Sequence, residues 1–136
     1  MSYLLDTNVI SETTKQKPNR NLMQWLEKIP NDELYISVLT ISEIKQGIER
    51  LEAGKKRNEL TVWFEHAFFE WFGSNVLDID RAVTEKWGHI NATQKKSLSA
   101  IDALIGATAI SHNLKLVTRN EKDFAIPGLE IINPFS

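Results

Sequence analysis

Short apolar runs alternate along this chain with longer stretches of helical periodicity, and that alternation restricts the fold more than any other feature. Tyr3–Leu5, Leu34–Val38, Val76–Ile79, Lys115–Thr118 and Glu130–Ile132 read as short strands. Between them lie patterns with a 3.6-residue repeat. A short helix is expected at Asn8–Thr13. After the Lys17-Pro18-Asn19 turn, a helix at Arg20–Lys28 sets Leu22, Trp25, Leu26 and Ile29 on one face. Thr40–Leu51 opens with a capping-box pattern, Thr40-x-x-Glu43. A long helix at Lys56–Phe72 carries Leu60, Phe64, Phe68, Trp71 and Phe72 on one stripe, with Trp63 and Phe69 off its centre, either meeting a partner or burying the helix more deeply in the monomer. Asp80 caps a helix reaching Gln94, and Ser99–His112 is a helix rich in small residues that Asn113 ends. Strands alternating with helices over short connections build a mostly parallel sheet covered on both faces. The expected class is α/β in one domain spanning 1–136, since 136 residues are too few for two ordinary domains.

Parallel sheets of this kind bind ligands beyond the carboxyl ends of their strands. Four acids fall there. Asp6 follows the first strand directly. Glu43 lies at the start of the helix after the second, Asp102 lies in the first turn of the Ser99 helix, and Asp123 follows the strand Lys115–Thr118. Each also has an ordinary reading as a helix-start or turn acid. Taken together, however, four carboxylates at one edge repel one another, and without a cation some of them must take up protons. All-oxygen donors in a chain without cysteine suit Mg²⁺ or Mn²⁺. His66, His89 and His112 sit on three separate helices without the spacing of a zinc site.

Composition narrows the function classes. A net charge of −2 and a pI near 5.9 exclude a protein that coats nucleic acid. Contact with nucleic acid then falls to local basic patches: Lys15, Lys17 and Arg20; Lys55, Lys56 and Arg57; Lys95 and Lys96; Arg119 and Lys122. The start of the chain lacks the basic segment of a signal peptide, and no apolar run is long enough to span a bilayer. With no cysteine to form disulfides, a cytoplasmic location is the expectation.

Four segments, in this order, resemble the PIN-domain family, most closely its VapC group of toxin ribonucleases. They are Leu4-Leu5-Asp6-Thr7-Asn8-Val9-Ile10-Ser11-Glu12, Ser37-Val38-Leu39-Thr40-Ile41-Ser42-Glu43-Ile44, Asp102-Ala103-Leu104-Ile105-Gly106-Ala107-Thr108-Ala109 and Val117-Thr118-Arg119-Asn120-Glu121-Lys122-Asp123-Phe124. The resemblance implies a three-layer α/β/α sandwich with a parallel central sheet and metal-dependent endonuclease activity on RNA. It also implies a cognate, VapB-like antitoxin and a homodimer. It carries the family's acidic residues over to Asp6, Glu43, Asp102 and Asp123, and its supporting polar residues to Asn8, Thr118 and Asn120. Two departures stand out: Ile101 where the family often has Pro, and Gly106 where Ala is common, which should loosen that helix by up to ~1 kcal/mol. The alternative reading is a non-catalytic PIN-like module that binds RNA or protein. A receiver-like phosphoacceptor domain would need paired acids after the first strand, where this chain has Asp6 alone.

Overall fold

In the computed structural model, which describes residues 1–94 and 97–136, five strands form one sheet in the order β3-β2-β1-β4-β5. They are β1 (Tyr3–Leu5), β2 (Leu34–Ser37), β3 (Val76–Leu77), β4 (Lys115–Val117) and β5 (Ile131–Ile132), and every neighbouring pair is parallel. The basic pair Lys95 and Lys96 lies outside the described residues. Because β1 is central, the chain leaves it toward β2 on one side and returns through β4 on the other. The order therefore reverses between β1 and β4, which makes the carboxyl edge there the place where such sheets bind ligands.

Period-two alternation sends successive strand residues to opposite faces. Leu5, Leu34, Ile36 and Val117 point into one core with Val9, Ile10, Leu22, Ile44, Ile48, Phe64, Phe68 and Phe72. These come from α1 (Thr7–Thr13), α2 (Arg20–Lys28), α3 (Val38–Glu49) and the helical stretch formed by α4 (Lys55–Trp63), residues Phe64–Phe68 and α5 (Phe69–Phe72). Leu4 and Leu116 point the other way, onto Ile105 and Ala109 of α7 (Ala100–Ser111). Beyond them α6 (Arg81–Thr93) packs on α7 through Val83, Ile90, Ala103 and Ala107. Helices on both faces make the three layers that the alternation implied. No helix among the described residues is long and apolar enough to cross a membrane.

Three expectations change. The helix after β2 starts at Val38, not Thr40: the strand runs into it without a loop, and the Ser37 hydroxyl caps it by accepting from Leu39 N at 3.1 Å. Thr40 is consequently buried in the first turn, and Glu43 moves to the second. The stretch expected as one α-helix, Lys56–Phe72, contains a π-helical segment at Phe64–Phe68. In an α-helix residues four apart drift by about 40° around the axis, and a wider π turn takes that drift back. Phe64, Phe68 and Phe72 thereby all stay on the core side, with Phe64 and Phe68 stacked at 5.4 Å. Trp63 also packs against this core, and Phe69 remains 39% exposed.

Gly106 is the third change. A Cβ built on it would lie 2.6 Å from Ile126 Cδ1. The missing methyl leaves the space that buried Ile126 fills against α7, so this glycine is a packing device more than a flaw in the helix.

Candidate active site

Asp6 emerges from β1 at the switch point and caps α1, its Oδ1 accepting from Thr7 N at 2.9 Å. Its own amide is held by Val117 O of β4 at 2.9 Å. Oδ2 takes two donors, the Thr118 hydroxyl at 2.9 Å and Asn8 Nδ2 at 3.1 Å. Oδ2 is thus filled, while Oδ1 keeps a lone pair. Burial pushes the Asp6 carboxyl up to about 6; the Thr118 and Thr7 hydrogen bonds pull it down, and Glu43 and Asp102 push it up again.

The remaining acids come from separate elements, Glu43 and Asp102 within electrostatic reach of Asp6 and Asp123 within reach of Asp102. Glu43, half-buried on α3, accepts the Thr7 hydroxyl proton on Oε1 at 2.6 Å. Asp102 occupies the first turn of α7, where Ser99 caps the helix by accepting from Asp102 N at 3.1 Å. Burial raises its carboxyl above the ordinary range, the Ser99 hydrogen bond opposes this, and Asp123 adds to it. Asp123 is exposed on the short turn Glu121–Phe124, with its amide on Asn120 O at 3.0 Å. Asp6 therefore feels Glu43 and Asp102, and Asp102 feels Asp123. Two basic side chains, Lys15 and Arg119, are both held by Glu12, at 2.8 Å and 2.9 Å.

The supporting residues divide by what they touch. Thr118 is fully buried and spends its proton on Asp6. Asn8 bridges Asp6 and Thr118, at 3.1 Å and 3.2 Å. Asn120 contributes through its backbone: its N–H donates to Thr118 Oγ1 at 3.0 Å. Sequence reasoning overlooked Glu12. This acid lies only 5% exposed in α1, where helical periodicity put it on the buried side with Val9. An acid at such a position was the available signal.

Among the described residues, no three His, Asp or Glu side chains converge as a ready-made metal cage. The donor chemistry nonetheless fits a hard divalent cation: oxygen ligands only, a spare lone pair on Asp6 Oδ1, and a carboxylate whose charge is costly without a counter-ion. Mg²⁺ in particular takes one or two carboxylates and keeps several waters, so it needs no protein cage.

The sheet order and this edge define a parallel α/β protein with a buried carboxylate, Asp6, at its switch point and further acids within electrostatic reach. The family model for the PIN domain matches residues 3–127. Toxin FitB of Neisseria gonorrhoeae is 33% identical over 135 residues, 97% of each chain. VapC ribonuclease Y4jK of Sinorhizobium fredii is also 33% identical over 135 residues, 97% of this chain and 96% of its own. Among solved structures, FitAcB from Neisseria gonorrhoeae superposes with a TM-score of 0.91 at 33% identity, over 98% of both chains. A toxin–antitoxin complex from Klebsiella pneumoniae gives 0.72 at 29% identity, over 99% of both. This chain belongs to the PIN-domain family.

Proposed function

We propose that this chain is an endoribonuclease, the toxin of a toxin–antitoxin pair, which hydrolyses RNA phosphodiester bonds with a divalent cation held at the carboxyl edge of the sheet. One observation carries the chemistry. The buried carboxyl of Asp6, raised to about 6 by burial with Glu43 and Asp102 adding to the rise, sits at the switch point of a parallel sheet. The ribonuclease and toxin names of nearly full-length relatives support the substrate and the biological role.

Asp6 and Asp102 would hold the cation, Mg²⁺ or Mn²⁺, and Glu43 and Asp123 would assist partly through water. A cation bound there would lower the pKa of water and offset charge on the phosphate and the leaving oxygen. The protein's own groups set the geometry. Thr118 and Asn8 fix Oδ2 of Asp6, and Oδ1, which accepts only from Thr7 N, keeps a free lone pair. The Thr7 hydroxyl holds Glu43 Oε1 and thereby ties α3 to the start of α1. Water adds at phosphorus, the bond to the 3′ oxygen breaks, and that oxygen takes a proton. The products are a 5′-phosphate and a 3′-hydroxyl, and the 2′-hydroxyl takes no part.

The partner is a VapB-like antitoxin, supported by the toxin–antitoxin complex among the structural neighbours. An arginine fork on its tail would pair bidentately with these carboxylates and compete with the cation. Pairing with a second copy of the chain is part of the same proposal and is read from the mass in solution.

The test is incubation of partner-free protein with total cellular RNA in Mg²⁺, in Mn²⁺ and with chelator, beside Asp102→Asn. Discrete metal-dependent cuts with 5′-phosphate ends, lost in the variant, are expected. Cyclic-phosphate ends, or cleavage that survives chelation, would refute the mechanism.

A further inference from the structure

We propose that Glu12 and Arg119 form a positioning pair that keeps the Thr118 hydroxyl proton on Asp6, acting through the Arg119 backbone amide and Asn8. The pair touches none of the four candidate ligands. Its consequence for cation binding rests on the reading of Asp6 above; the positioning itself does not.

Glu12 is a buried acid, and such a group persists only when paired and hydrogen-bonded. Its Oε1 accepts Arg119 Nη2 at 2.9 Å and Lys15 Nζ at 2.8 Å, and its Oε2 accepts Asn19 N at 2.9 Å. The Arg119 guanidinium also lies over the Phe135 ring, 4.2 Å from its centroid. Arg119 is thus clamped at the point where the chain leaves β4, and its backbone amide is clamped with it. That amide donates to Asn8 Oδ1 at 3.2 Å.

A side-chain amide has one accepting end and one donating end. With Oδ1 engaged by Arg119, Nδ2 of Asn8 must face inward, where it donates to Asp6 Oδ2 and to Thr118 Oγ1, at 3.1 Å and 3.2 Å. Thr118 Oγ1 also accepts Asn120 N at 3.0 Å. Both lone pairs of the hydroxyl are then occupied, and its proton has one partner left, Asp6 Oδ2 at 2.9 Å. The orientation of a buried hydroxyl is decided by an ion pair on the other side of a loop.

Lys15 supplies the control. It binds the same carboxylate but lies one helical turn along from Glu12, and it makes no bond to residues 118–120. A role limited to balancing a buried charge would make Lys15 and Arg119 equivalent.

The experiment follows the Asn8 side-chain NH₂ by NMR in metal-free protein, together with Mn²⁺ affinity by electron paramagnetic resonance. Arg119→Ala and Glu12→Gln should each speed exchange of the Asn8 side-chain protons and weaken Mn²⁺ binding about tenfold, the scale seen when a ligand's outer partner is removed. Lys15→Ala should do neither, and Arg119→Lys, which keeps a cation near Glu12, should restore part of both. The Arg119 side chain is 45% exposed, so its variant stays folded even if Glu12→Gln does not. Asn8 protons that exchange at the parent rate in Arg119→Ala overturn the proposal, and so does a Lys15→Ala variant that matches it. Disturbed Asn8 protons in a protein whose parent binds no Mn²⁺ and cuts no RNA uphold the positioning pair and overturn the nuclease reading.

Discussion

Two buried acids near the start of the chain are driven in opposite directions. Asp6 is pushed up to about 6 by burial and by Glu43 and Asp102. Glu12 is held below its ordinary value, chiefly by Lys15 and then by Asn19 and Arg119, against the opposing effect of burial. The consequences for stability carry opposite signs. Folded Asp6 keeps a proton that the unfolded chain sheds near 3.8, so its contribution is full below that pH and is lost as pH rises through about 6. That loss is about 3 kcal/mol for a shift of roughly two units. Folded Glu12 sheds its proton early, so its contribution is present above its unfolded value and is lost as pH falls. Without metal, Asp6→Asn should therefore gain stability relative to the parent as pH rises from 4 to 7. Thermal melts across that range test this, and parallel pH curves for the two proteins would contradict it. Thr118→Val removes the hydrogen bond that most opposes the rise of Asp6. It should move that carboxyl higher in a carbon-13 titration and cost about 1–3 kcal/mol, because a buried carboxylate loses a donor.

Among the elements, α7 shows how packing opposes propensity. Gly106 weakens the helix in isolation, yet the buried side chain of Ile126 stands where its methyl would go. Gly106→Ala should therefore gain less than the roughly 1 kcal/mol that helix propensity offers, since the end of the Ile126 side chain must shift to admit the methyl. In an Ile126→Val background the obstructing Cδ1 is gone, and the same substitution should stabilise by up to about 1 kcal/mol. Denaturant melts of the four proteins in this cycle measure the difference; equal effects in both backgrounds would rule out the steric account. The π segment on the opposite face makes the same point. Its aromatic stripe is visible in the sequence, but the wider turn that keeps Phe64, Phe68 and Phe72 on one side depends on the sheet they pack against. Phe68 is fully buried within that core, and Phe68→Ala should cost about 3–5 kcal/mol.

At the scale of the molecule, the sheet order sets Glu43 and Asp102 within electrostatic reach of Asp6, and Asp123 within reach of Asp102. Under the proposed function, their repulsion would link cation binding to folding. A divalent cation that binds only the folded state should stabilise it by about 3 kcal/mol at a hundredfold excess over Kd. The gain should be smaller at pH 5 than at pH 7.5, because Asp6, at about 6, must first give up its proton. Calorimetric scans with and without Mg²⁺ at the two pH values check this, and equal gains at both would argue against Asp6 as a ligand.

Local chemistry was enough to show the strand–helix alternation, the Asp80 cap and the parallel α/β class, and to single out the four acids as candidates, because periodicity, capping and strand-end position are properties of neighbouring residues. The start of α3 at Val38 was harder to read, since Ser37 and Thr40 are both good caps and only the direct run of β2 into the helix selects Ser37. The fit of Ile126 against Gly106 and the burial of Glu12 against Arg119, 107 residues away, depend on contacts between distant segments. The direction of the Thr118 proton depends on four residues, Asp6, Asn8, Arg119 and Asn120, meeting in one place. The sequence by itself determined which residues could form elements and carry charge. Only the tertiary structure decided which of those charges would meet and which hydrogen-bond donors each would keep, because a hydrogen bond or a steric overlap is set by distances of a few ångströms that spacing along a chain does not contain.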